Sequence, residues 1–145
     1  MEKLNERDLR FVFDDSISTY NELLLRINHP TLYNKRMLSI LIIVFKALQG
    51  LVPKYISKLF TLRNCGINLR GNNILIVPRV TTTSYGLHSL AYQGCKLWNS
   101  LPNTIRMINE LSKFKSEISK MNFDVDCCIF CGDSNFNCYC KLLYI

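Results

Sequence analysis

Apolar residues recur along this chain with the period of a helix more often than with that of a strand. Ile17, Tyr20, Leu23, Leu24 and Ile27 follow the turn Asp14-Asp15-Ser16 and predict an amphipathic helix over 16–28, stopped by Asn28-His29-Pro30. Leu32, Met37, Leu38, Leu41, Ile42, Phe45 and Leu48 predict a second helix from an N-cap at Thr31 to a C-cap at Gly50. It is apolar on most sides, as a central core helix is. Pro53 suits the first turn of a short third helix over 54–60. Leu90, Gly94, Leu97, Trp98 and Leu101 set a fourth over 89–100, closed by Pro102. Asn109 is the expected cap of a last one, with Leu111, Phe114, Ile118 and Met121 on one face and Lys113, Lys115, Glu117 and Lys120 on the other. Arg7 to Phe13 fits a helical or an extended lead-in.

The period changes in the middle of the chain. Residues 64–73 are polar and glycine-bearing, a loop. Ile74 to Val77 forms a short apolar run closed by Pro78, and Val80 to Tyr85 is rich in β-branched residues and ends at Gly86; both predict strands. The expected class is α+β, mostly α, with about five helices and a small two-stranded β element. The expected division is a helical domain over 1–123 and a cysteine-rich tail over 124–145. Leu24, Leu41, Ile42, Phe45, Leu97, Trp98 and Phe114, on the inner faces of the best helices, are the expected core.

Composition narrows the class of partner. The 145 residues are 48% hydrophobic with 6 Gly and 4 Pro, which excludes a disordered or collagen-like chain. The most apolar run, Met37 to Phe45, is far short of the roughly 20 residues of a membrane span, so no membrane partner is expected. The charged start, Met1 to Asp8, does not have the form of a signal peptide. The net charge of +7 is unevenly placed: between Glu22 and Glu110 lie eleven basic residues and no acid. Such a stretch has few internal ion-pair partners, so its charges are solvated or face an external anion, for which a phosphate backbone is the usual source. The plain alternative is a basic domain that stays soluble or meets an acidic protein. On the nucleic-acid reading the contacts are Arg26, Lys35, Arg36, Arg63, Arg70, Arg79, Lys96 and Arg106, with Arg70 and Arg79 first because they flank the predicted strands.

Several blocks in order carry a family resemblance. They are Leu51-Val52-Pro53-Lys54-Tyr55-Ile56-Ser57-Lys58-Leu59-Phe60, Asn68-Leu69-Arg70-Gly71, Val77-Pro78-Arg79-Val80-Thr81-Thr82, Ser84-Tyr85-Gly86-Leu87-His88-Ser89, Lys96-Leu97-Trp98-Asn99-Ser100-Leu101-Pro102 and Leu111-Ser112-Lys113-Phe114-Lys115. With the lead-in Leu9 to Phe13 and Tyr20 to Leu24, this series over 7–123 resembles the C-terminal region of non-LTR (LINE-type, jockey-like) retrotransposon reverse transcriptases. The resemblance implies a noncatalytic region beyond the fingers, palm and thumb of an RNA-directed DNA polymerase; the alternatives are a protein-interaction module and an inert, decayed fragment. Its implied partners are RNA or DNA backbone and the upstream polymerase domains, with no small-molecule substrate.

Candidate chemistry is sparse. Val12-Phe13-Asp14-Asp15 has the paired aspartates of a polymerase metal site but Val where that family carries an aromatic, and no third carboxylate stands upstream in a suitable frame. Helix capping is the expectation for these aspartates, and no catalytic residue is expected in this chain. His88 is expected half-buried and satisfied. Trp98, flanked by Leu97, Leu101 and Pro102, fits a core anchor; base stacking is the other use of such a ring. Five of the seven cysteines lie in the last nineteen residues. Cys128, Cys131, Cys138 and Cys140 supply four thiols at a spacing that a tetrahedral zinc accepts; the alternative is a tail of free thiols. Zinc is the one cofactor the sequence raises. An odd cysteine count with no secretory leader points to reduced thiols, hence to cytoplasm or nucleus.

Overall fold

In the computed structural model, residues 2–63, 73–121 and 123 are described. The expected α+β class is corrected to an all-helical one: 61% of the described residues are helical, and none forms a strand or sheet. The elements are α1 (Glu2–Phe13), α2 (Tyr20–Arg26), α3 (Leu32–Leu48), α4 (Lys54–Ser57), a π-helical turn (Thr83–Leu87), α5 (Leu90–Ser100), α6 (Asn103–Arg106) and α7 (Leu111–Ser119). They fall into two compact units divided between Arg36 and Met37, with Phe123 grouped with the N-terminal residues.

The first unit holds α1, α2 and the opening turn of α3. The Nδ2 of Asn5 donates to the Tyr20 hydroxyl at 2.7 Å and ties α1 to α2. Thr19 and Glu22 form a reciprocal capping box that satisfies two orphan donors at the start of α2. Leu23 and Leu24 are its buried pair. Thr31 caps α3 as expected, its hydroxyl accepting from the Asn34 N–H at 3.2 Å. The Asn34 side chain then accepts from the Phe123 N–H at 3.1 Å.

The second unit is organised around Phe114 of α7. Its ring stacks on Phe45 of α3, centroids 4.4 Å apart, and meets Trp98 of α5 at 5.8 Å. Leu41, Val44, Leu97, Leu101 and Ile118 fill the space about these rings. Of the expected core, Ile42 alone is only half-buried; the others are buried, Leu24 in the first unit and the rest in the second. Gly94 lets α5 approach closely. A Cβ there would lie 2.8 Å from Phe60 and 2.9 Å from Val44, well inside van der Waals contact.

The two predicted strands fail for separate reasons. Leu75 makes one antiparallel bridge, with Leu62. On its other side the Asn99 carboxamide takes both main-chain groups: the Leu75 N–H donates to Asn99 Oδ1 at 2.9 Å, and Asn99 Nδ2 donates to the Leu75 carbonyl at 2.8 Å. A side chain of α5 thus occupies the place of a neighbouring strand, and Pro78, lacking an N–H, closes the segment. The β-branched run after it is wound up by local capping. Thr82 Oγ1 accepts from the Gly86 N–H at 3.1 Å, and Gly86 is pressed against Val80 so closely that a Cβ would lie 2.7 Å away. Threonine hydroxyls compete with ladder bonds in just this manner.

Candidate nucleic-acid interface

Charge separates cleanly between the units. The first carries six Lys or Arg and six Asp or Glu over residues 2–36. Among the described residues of the second there are ten Lys or Arg against Glu110 and Glu117 alone. Both glutamates are spent along α7 and its caps, Glu110 on Lys113 at 2.9 Å and Glu117 on Lys120 at 2.6 Å. No carboxylate remains in the described part of that unit for its other cations.

The anticipated contact residues sit in different settings. Arg26 pairs with Asp15 at 2.9 Å, bonds the Ser18 hydroxyl and lies 5.9 Å from the Phe13 ring centroid. Lys35 and Arg36 open α3 in the first unit, Lys35 exposed and Arg36 half-buried. In the second unit Arg63 and Arg79 are exposed, and Lys96 is half-buried with its ammonium 5.9 Å from the Tyr92 ring centroid. Arg106 is only 8% exposed and its Nε has no hydrogen-bond partner among the described residues, so its guanidinium does not face solvent. Arg70 and the thiols of Cys128, Cys131, Cys138 and Cys140 lie outside the described residues. Lys54 and Lys58, not among the anticipated contacts, are exposed beside Arg63 in sequence.

The other candidates resolve into structural duties. Asp14 takes a left-handed conformation, φ 48°, that ends α1. The Asp15 carboxylate accepts from the Ile17 and Ser18 N–H groups, the Ser18 hydroxyl and Arg26. These bonds, the Ser18 hydroxyl first, hold its pKa far below the usual carboxylate range despite partial desolvation. The expected cap of the next helix is supplied by Thr19 instead; Asp14 closes α1 through its backbone, and Asp15 organises the turn before α2. His88 is half-buried, its Nδ1 3.3 Å from Gln93 Nε2. Trp98 is 2% exposed and its Nε1 donates to the Asn73 carbonyl at 2.8 Å, so it cannot stack on a base in this fold. Burial pushes the Cys95 thiol up to about 11.

Two exposed aromatics of the second unit escaped the sequence reading. Tyr85, 86% exposed, sits in the π-helical turn, and Tyr55, 71% exposed, in α4. A strand assignment over 80–85 hides Tyr85; the usable signal was the Thr82 to Gly86 spacing, which suits a capped turn. Among the described residues no group of three His, Cys, Asp or Glu could hold a metal, and no helix is long and apolar enough to cross a membrane. Comparison with family models, curated proteins and solved structures finds no match to the chain.

Proposed function

We propose that this chain is a noncatalytic nucleic-acid-contacting module, the post-polymerase region of a LINE-type reverse transcriptase, whose second unit meets RNA or DNA phosphates. The observation that carries this reading is the charge of that unit: among its described residues ten cations and two acids, both acids already paired with lysines of α7 and its caps. Lys54, Lys58 and Arg79 are exposed and form no ion pair among the described residues. Charges held this way are available to an external polyanion, and phosphate contacts fix position without reading sequence. The block resemblance supports the assignment to the retroelement family, and zinc in the cysteine tail belongs to the same proposal. The aspartates at 14 and 15 support the noncatalytic part, since the turn before α2 already uses them.

The reading is tested by titrating the full chain with unrelated RNA sequences across a range of salt. Affinity should fall linearly on logarithmic axes and be nearly independent of sequence. Lys58→Glu with Arg79→Glu should weaken every RNA alike and flatten the slope by about one unit per lost contact. Binding by the double variant as tight as wild type at every salt concentration would place the contacts elsewhere.

A second reading rests on α1 and the turn after it. Phe11, Val12 and Ile17 are 88%, 71% and 92% exposed. A charge-balanced unit with apolar residues in water favours a protein contact there, so an interaction module is the alternative.

A further inference from the structure

The nucleic-acid reading, if it holds, leaves open what form of nucleic acid the basic unit takes. We infer that Tyr85 is a stacking platform for an unpaired base, with Arg79 as the neighbouring phosphate contact, so that the second unit is selective for single strands. This rests on the proposed nucleic-acid role and adds the substrate class to it.

Three observations converge. First, of the aromatic rings described in the second unit, Phe45, Phe60, Trp98 and Phe114 are buried, Tyr92 is half-buried beside the Lys96 ammonium, and Tyr55 is 71% exposed. Tyr85 is the most exposed of the set and makes no hydrogen bond or ring contact among the described residues. Second, its backbone is braced on both sides. Thr82 caps the Gly86 N–H through its hydroxyl and its carbonyl, and the Ser89 hydroxyl donates to the Gly86 carbonyl at 2.7 Å. A ring on a fixed backbone loses little freedom on binding. Wide helical turns of this kind are rare and recur at functional sites. Third, Gly86 and Val80 are in direct contact, and Tyr85 and Arg79 are their immediate chain neighbours. With about 3.8 Å between consecutive Cα atoms, this contact keeps the backbone of an exposed ring and that of an exposed, unpaired cation within roughly 12 Å of each other. A base offers a π-face to such a ring only when it has left the duplex stack, and its own phosphate suits the guanidinium.

The test measures the full chain against a fluorescent single-stranded RNA oligonucleotide of mixed sequence and against a duplex of the same length. Tyr85→Ala should weaken single-strand binding about 5- to 150-fold, the range of one lost stack. It should leave the salt slope unchanged, because no phosphate contact is removed. Tyr85→Phe should bind as wild type, and duplex binding should be the same for all three proteins. Circular dichroism checks that each variant is folded, as expected for an exposed side chain. If Arg79→Glu weakens the single strand and Tyr85→Ala does not, the stacking site is wrong while the phosphate reading stands. If Tyr85→Ala weakens duplex and single strand equally, selectivity for unpaired bases is wrong. If wild type binds neither at low salt, both readings fall together.

Discussion

Three residues at the ends of the first three helices share one conformation. Asp14, Asn28 and Gly50 have φ of 48°, 50° and 70°, and each closes its helix in the same way. The N–H of Asp14, Asn28 and Gly50 reaches back to Phe11, Leu25 and Ala47, and the next N–H reaches Arg10, Leu24 and Lys46. Glycine takes this conformation without strain, and Asp and Asn tolerate it better than other residues. The Gly50 stop was visible in the sequence for that reason. The turn at Asp14-Asp15-Ser16 was visible too, but that Asp14 closes a helix was not, because Arg7 to Phe13 fitted a helical or an extended lead-in. Asp15 has a consequence for pH. Its folded pKa is depressed, so the bonds to Ser18, Ile17 and Arg26 stabilise the fold above the ordinary carboxylate value of about 3.9 and are lost as pH falls below it toward the folded value. Asp15→Ala should therefore lower the thermal midpoint at neutral pH and flatten its fall on acidification. An acid limb as steep in the variant as in wild type would assign the effect to other carboxylates.

At the scale of elements, legibility followed the length of the periodic pattern. The helices α3, α5 and α7 were readable because several apolar residues in each repeat at helical spacing, and Phe45, Trp98 and Phe114 indeed meet in the core. The last cap was displaced by one residue, to Glu110 from the expected Asn109. The strands were misread because Ile74 to Val77 and Val80 to Tyr85 are governed by partners distant in sequence or by a capping hydroxyl, neither of which alternation reveals. The one-turn helix α6 is too short for periodicity to show. Gly94 gives the sharpest test of the packing. In an isolated helix Gly→Ala gains about 1 kcal/mol. Here the added methyl meets Phe60 and Val44, and overpacking costs about 1–3 kcal/mol. Gly94→Ala should lower the thermal midpoint, and adding Phe60→Leu should recover part of the loss. A rise in midpoint for the single variant would mean that α5 stands further from α3 than described.

For the whole molecule, the decisive feature is that charge is partitioned rather than spread. An overall +7 conceals a balanced stretch over residues 2–36 and a second unit with almost every charge of one sign. Charge order along the chain made this legible, since the acid-free stretch is contiguous. Which cations face solvent was not legible: Arg106 stood among the expected contacts and is nine-tenths buried.

The carboxamide of Asn99 also bears on how copies of the chain behave toward one another. A strand beside Leu75 would itself present a fresh edge to the next strand, and pairing of that kind propagates between molecules. A side-chain amide offers one acceptor and one donor to Leu75 and then ends the series. With Leu62 bridged on one edge and the amide on the other, the Leu75 main-chain groups in the apolar run Ile74-Leu75-Ile76-Val77 are closed to pairing with another strand. Asn99→Leu removes the stop and leaves the Leu75 N–H and carbonyl without their partner, at a cost of about 1–3 kcal/mol for each buried group. Its expected signature is a lower thermal midpoint together with concentration-dependent aggregation on mild heating, followed by light scattering. Loss of stability with no change in scattering would show that the amide serves packing alone.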